Sequence, residues 1–92
     1  MRTDEWYDFR ASPRGRVRVL ATLDESTYRG GGMGADHPIA WCRGGGPLGR
    51  GRAFYTAGGH TAAAWAEPRF LAHVAGALRW AAGLAPGDCR PE

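Results

Sequence analysis

Pro38-Ile39-Ala40-Trp41-Cys42 and Arg52-Ala53-Phe54-Tyr55-Thr56-Ala57, the latter followed at once by Gly58-Gly59-His60-Thr61, decide how this chain folds. Both runs are short, apolar or aromatic, and bounded by Gly and Pro, which is the pattern of β-strands. Arg43 to Gly51 is glycine-rich and contains Pro47, so it reads as a turn. Sequential strands joined by a turn usually pair, and 38–43 with 51–57 predicts an antiparallel hairpin.

Upstream, Ser12-Pro13-Arg14-Gly15 is a turn signal, and Val17 to Leu23 alternates as a strand with Val17, Val19, Ala21 and Leu23 on one face. Leu20 and Thr22 make its other face only partly polar, so cover on both sides is expected near its end. Residues 1–16 read as irregular, with Trp6, Tyr7 and Phe9 as apolar anchors, and residues 24–37 as a long loop through Gly30-Gly31-Gly32-Met33-Gly34. Downstream, Ala62 to Ala66 suits a helical turn capped by Thr61. Pro68 then opens a helix whose buried face is expected at Phe70, Leu71, Val74, Leu78, Ala81 and Ala82. Arg79 suits the last turn, Gly83 suits C′, and 84–92 reads as a frayed tail. The expected class is α/β: three strands including a hairpin, plus a C-terminal helix. One helix leaves sheet surface uncovered, which predicts the end of a domain rather than a whole one, and self-association through that surface.

The chain has 92 residues, enough for one small domain or part of a larger one. Four Trp, three Tyr and three Phe argue against disorder despite 15 Gly and 6 Pro. All 12 basic residues are Arg, but they are scattered among nine acids for a net charge of only +3, which points away from nucleic acid. No run approaches the ~20 apolar residues of a membrane span. The acids of Met1-Arg2-Thr3-Asp4-Glu5-Trp6 stand where a signal peptide needs apolar residues, so a cytoplasmic chain is expected. Two cysteines are too few for a disulfide-dense scaffold. Cys42, inside a strand, is expected to be a buried structural thiol, and Cys89 an inert tail residue. The glycine runs do not form a phosphate-binding loop, which needs a lysine this chain lacks, nor a dinucleotide fingerprint.

His60 is the leading candidate for chemistry. It lies just past a strand end, behind Gly58 and Gly59, which leave room for a ligand near the backbone. The bland reading is a histidine that caps the loop by hydrogen bonding. Asp36-His37 offers a carboxylate beside an imidazole, suited to binding sugar hydroxyls, orienting a base or holding a metal. It equally suits a turn before Pro38. Asp36, His37 and His60 together form a candidate divalent-metal set without a recognised spacing. His73 is expected to border the buried helix face.

Taken together, the blocks Asp4-Glu5-Trp6-Tyr7-Asp8-Phe9, Val19 to Tyr28, Met33-Gly34-Ala35-Asp36-His37-Pro38-Ile39-Ala40-Trp41-Cys42, Gly51 to Thr61, and Pro68-Arg69-Phe70-Leu71 with Arg79-Trp80-Ala81-Ala82-Gly83 resemble the C-terminal part of the ThuA-like, trehalose-utilisation family. The resemblance runs over about residues 4–83. It implies a flavodoxin-like, class I glutamine-amidotransferase-like fold, with a parallel sheet and its helices before residue 1. It implies a role in bacterial sugar catabolism, with a sugar or sugar derivative held near Asp36, His37 and His60. Trp41 or Tyr28 would be stacking surfaces, and Gly58 and Gly59 would leave the pocket open. His60 falls where the amidotransferase histidine stands, but Ala62 and Ala63 occupy positions where relatives often carry Glu. The nucleophilic cysteine would lie upstream, so glutaminase chemistry is not expected. The alternative is a non-catalytic interaction module or an inactive truncated remnant.

Overall fold

The computed structural model describes residues 3–44 and 51–91. The glycine-rich connection expected within 43–51 therefore lies mostly outside the described residues. Three strands form one sheet in the order β1-β2-β3: β1 Arg18–Thr22, β2 Pro38–Gly44 and β3 Arg52–Thr56. Both pairings are antiparallel. The hairpin is present, with Trp41 opposite Tyr55 and Cys42 opposite Phe54. The sole α-helix among the described residues is α1, Pro68–Ala81, preceded by a short 3₁₀ turn at Ala64–Ala66.

Alternation along β2 sorts the core into two layers. Ala40 and Cys42 are almost fully buried on one side. Phe54 and Thr56, opposite them in β3, meet His73 of α1, through an edge-on ring contact and a hydrogen bond between Thr56 Oγ1 and His73 Nε2 at 2.9 Å. On the other side Trp41 stacks on Tyr55 with centroids 4.2 Å apart, and Phe9 from the N-terminal segment packs edge-on against both. The segment before β1 thus supplies a second layer in place of a helix.

Two expectations about packing are corrected. The β1 pairing shifts register between Val19, opposite Trp41, and Ala21, opposite Ala40. This bulge breaks the period-2 alternation at Leu20, which stays half-exposed, and β1 is not covered on both sides. In α1 the buried or half-buried positions are Phe70, His73, Val74, Ala77 and Trp80, whereas Leu71 and Leu78 are exposed. The two large aromatics set the helix rotation, because burying Phe70 and Trp80 removes more apolar surface than burying two leucines.

The helix end follows its sequence. Gly83 is left-handed at φ 80°, its N–H donates to the Trp80 carbonyl, and the Leu84 N–H donates to the Arg79 carbonyl, which is a Schellman arrangement. Glu67 makes no side-chain cap.

The tail is not frayed, and the two cysteines are not separate thiols. Cys42 and Cys89 form a disulfide across 47 residues. Trp80 Nε1 donates to the Gly87 carbonyl, Arg18 Nε to Arg90, and Arg52 to both Trp80 and Ala85 carbonyls. The Arg52 guanidinium also lies 5.0 Å over the Trp80 ring. No described helix is long and apolar enough to cross a membrane.

Candidate functional site

The segment after β3 carries the first candidate group. Gly58 and Gly59 have φ of 140° and 82°, a region side chains disfavour. At Gly59 space is also short: a Cβ there would lie 3.0 Å from the Trp65 ring and 3.1 Å from Phe70. Trp65 Nε1 donates to the Gly59 carbonyl at 2.8 Å. Asp4 then clasps the turn from the other side, its carboxylate accepting from the N–H groups of Gly59 and His60 at 2.9 and 3.0 Å. Two backbone donors that follow a strand are thereby satisfied by one acid from the N-terminal segment.

The same segment brings Glu5 and Tyr7 to His60. Glu5 Oε1 stands 3.3 Å from His60 Nε2, with both side chains about half-exposed, and the Tyr7 hydroxyl donates to Glu5 Oε2. That bond and the Glu5 charge raise the Tyr7 hydroxyl above its ordinary value, since the neutral phenol is the form that donates. Asp4, Glu5, Tyr7, Tyr55, Thr56 and the Gly58–His60 turn line a hollow of about 200 Å³. Its lining includes the Glu5 carboxylate, the His60 imidazole and two tyrosines.

A second cluster surrounds His37, which is fully buried. Its Nε2 lies 3.0 Å from the Tyr7 carbonyl. Its Nδ1 lies 2.8 Å from Glu25 Oε2 and 3.3 Å from the Tyr28 hydroxyl. Glu25 accepts from the Met33 and Gly34 N–H groups at 2.9 and 2.8 Å, and Asp8 accepts from Gly32 at 3.3 Å. The Met33 N–H foremost holds the Glu25 carboxyl below its usual range, against some desolvation. Burial, then the Glu25 charge, raises Tyr28. The long loop is therefore ordered: its glycine run wraps two carboxylates.

Asp36 points away from this cluster to Arg14, which grips both its oxygens at 2.8 Å and holds its carboxyl below the usual range. Trp41 is committed to Tyr55 and Phe9, and Tyr28 to His37. The structure does not gather Asp36, His37 and His60 about one point. Among the described residues, the three side chains whose ligand atoms lie within 4.8 Å of one another are Asp8, Glu25 and His37. A larger hollow of about 460 Å³, lined by Thr22, Leu23, Asp24, Glu25, Ser26, Gly34 and Ala35, contains no aromatic wall. Its acids are already engaged, Asp24 by the backbone and hydroxyl of Ser26.

The N-terminal motif, the glycine loop and the strand–Gly-Gly-His turn, now seen as one assembly, agree with the comparison to known families. The model of the family described as ThuA, trehalose utilisation, matches residues 1–81. The chain belongs to the ThuA family. No curated protein and no solved structure matches it. The ThuA match ends with α1, so Cys89 and the tail it ties down lie beyond it.

Asp8, Glu25, Asp4 and Glu5 were not singled out by sequence reasoning about chemistry. The signal was weak but present: these acids belong to two ThuA-like blocks, and Gly31 and Gly32 are the positions where a side chain would meet Glu25 and Asp8 respectively.

Proposed function

We propose that this chain is the C-terminal portion of a ThuA-type carbohydrate-utilisation domain that binds a sugar or sugar derivative in the hollow beside His60. The observation carrying the reading is the half-exposed Glu5–His60 pair at 3.3 Å, beside a hollow that Tyr7, Tyr55, Gly58 and Gly59 also line. A sugar presents hydroxyls to donors and acceptors and a C–H face to aromatic rings, and this hollow supplies both. Imidazole exchanges protons near neutral pH, and Glu5 is placed to orient it. Gly58 and Gly59 act through their backbone. Asp36, His37, Trp41 and Tyr28 hold the loop and the aromatic layer that shape the hollow, rather than its ligand face. Family membership supports the sugar class, and the flavodoxin-like parent fold comes from the same resemblance.

The test is a titration of the isotope-labelled chain with trehalose and with glucose, read by amide NMR. The reading expects saturable shifts at Tyr7 and at Gly58 to His60 that weaken in His60→Ala. No shift at these positions with either sugar at millimolar concentration would overturn it.

A second reading, a non-catalytic interaction module, draws on the exposed Trp65, Leu71 and Leu78 around α1. Light scattering that shows self-association in the wild type, lost in Leu71→Glu, would favour it.

A further inference from the structure

We infer that Asp8, Glu25 and His37 form a divalent-cation site for a borderline metal such as Zn²⁺, closing the N-terminal segment onto the glycine-rich loop. This stands independently of the sugar-binding reading, which uses a different hollow.

A carbonyl oxygen only accepts, so the 3.0 Å contact with Tyr7 places a proton on His37 Nε2. In the neutral ring the Nδ1 lone pair then points at Glu25 Oε2, 2.8 Å away. Two acceptors do not attract each other. The Tyr28 hydroxyl, 3.3 Å from Nδ1, has a single proton and can serve only one of the two acceptors, so the contact between them calls for a second proton on Nδ1 or a cation between the two atoms. Asp8 favours the cation, because it brings a second carboxylate oxygen into the same cluster, with all three ligand atoms within 4.8 Å of one another. One proton on Nδ1 serves one carboxylate well, whereas a divalent ion serves both.

The surroundings have the form of a metal centre. Ligating histidines characteristically give their other N–H to a backbone carbonyl, which fixes the ring, and His37 does so to Tyr7. Ligating carboxylates are themselves hydrogen-bonded, and here the donors are the N–H groups of Gly32, Met33 and Gly34. One imidazole nitrogen with two carboxylates matches N/O-preferring borderline ions. Ligand bonds of about 2.0–2.2 Å put neighbouring ligand atoms about 3–3.5 Å apart, so small side-chain shifts complete the coordination. His37 is buried while Asp8 is exposed, which leaves the Asp8 side open for water as a fourth ligand. Space is reserved for the carboxylates: a Cβ on Gly32 would lie 2.6 Å from Asp8 Oδ2.

The experiment is metal binding by the whole chain after chelator treatment. Zn²⁺ is titrated in competition with a chromophoric chelator, and metal content after dialysis is measured by mass spectrometry. We expect about one Zn²⁺ per chain. Removing an outer-shell partner of a metal typically costs about 10–100-fold in affinity, so loss of a ligand charge in Asp8→Asn should weaken binding by at least about tenfold. Asp8→Asn keeps an oxygen for Gly32 and removes an exposed charge, so it tests the site without emptying the core. Nitrogen NMR of the wild type supplies a second readout, with Zn²⁺ shifting His37 Nδ1 and leaving Nε2 protonated. Failure of the chain to retain Zn²⁺, equal affinity in Asp8→Asn, or a His37 ring protonated on both nitrogens whether or not Zn²⁺ is added would overturn the inference.

Discussion

Gly31 faces Glu25 so closely that a Cβ on the glycine would lie 2.5 Å from Glu25 Cδ and 2.7 Å from Oε1. Long exposed acids usually yield to such a clash. This one is held by the Met33 and Gly34 N–H groups and faces a buried histidine. Gly31→Ala must therefore displace the carboxylate and leave polar groups around His37 unsatisfied, at a cost of about 1–3 kcal/mol. Gly76 is the control. It lies inside α1 with nothing within 4 Å of a built Cβ, so Gly76→Ala should stabilise by about 0.5–1 kcal/mol. Denaturant melts of the two variants should move in opposite directions; a neutral Gly31→Ala would show that Glu25 is not held.

The acid limb of stability should depend on the same carboxylate. Glu25 is lowered chiefly by the Met33 N–H, Asp36 by the Arg14 hydrogen bond, and Asp24 by the Ser26 hydroxyl and N–H. A group whose folded pKa lies below its unfolded one stabilises fully above the unfolded value and loses that contribution as pH falls through the folded value. Stability should therefore be flat near neutrality and decline as the pH passes below the ordinary carboxylate range. Glu25→Gln should flatten that decline, which urea melts across acid pH would show. An unchanged pH slope in the variant would rule out the Glu25 contribution.

The hairpin, the helix bounds and the Gly83 terminus were legible because each depends on local chemistry: β-forming runs, Pro at the first turn, a left-handed glycine. The helix rotation was not, because it rests on which side chains the sheet accepts, and Leu71 and Phe70 look alike to a periodicity. Val17 to Leu23 misled through the bulge at Leu20, which alternation cannot foresee. His60 was legible from its glycines, but its partners Asp4 and Glu5 come from more than 50 positions away in sequence. His37 was noticed for its neighbour Asp36, yet adjacent residues point apart here, one to Arg14 and the other into the core.

Cys89 should prove structural rather than inert. Its bond to Cys42 draws the tail so close that a Cβ on Gly44 would run into the Asp88 carbonyl. Disulfides typically contribute about 2–4 kcal/mol, and about 1 kcal/mol moves the Tm of a domain this size by roughly 4–8 °C. Cys89→Ala, which leaves Cys42 as a small buried thiol, should lower the Tm by on the order of 10–25 °C. Reductant should lower the wild type to the same point and leave the variant unmoved. A wild-type melt indifferent to reductant would show that the bridge carries no stability.

His60 and His73 separate function from support. His60 is exposed, its ring reaches Glu5 across a solvent-accessible 3.3 Å, and the turn around it is held by backbone bonds to Asp4 that do not involve the imidazole. Exposed side chains outside such frameworks usually change stability by no more than about 0.5 kcal/mol, so His60→Ala should melt like the wild type. His73 is half-buried, bonds Thr56 Oγ1 at 2.9 Å and packs on Phe54. Its removal leaves the hydroxyl without that partner and a gap between helix and sheet, which should cost about 1–3 kcal/mol. Trehalose or glucose binding per folded molecule should show the reverse order, weakened in His60→Ala and retained in His73→Ala. A His60→Ala variant that loses stability while binding sugar as the wild type does would make His60 a loop clamp and end its assignment to the ligand face.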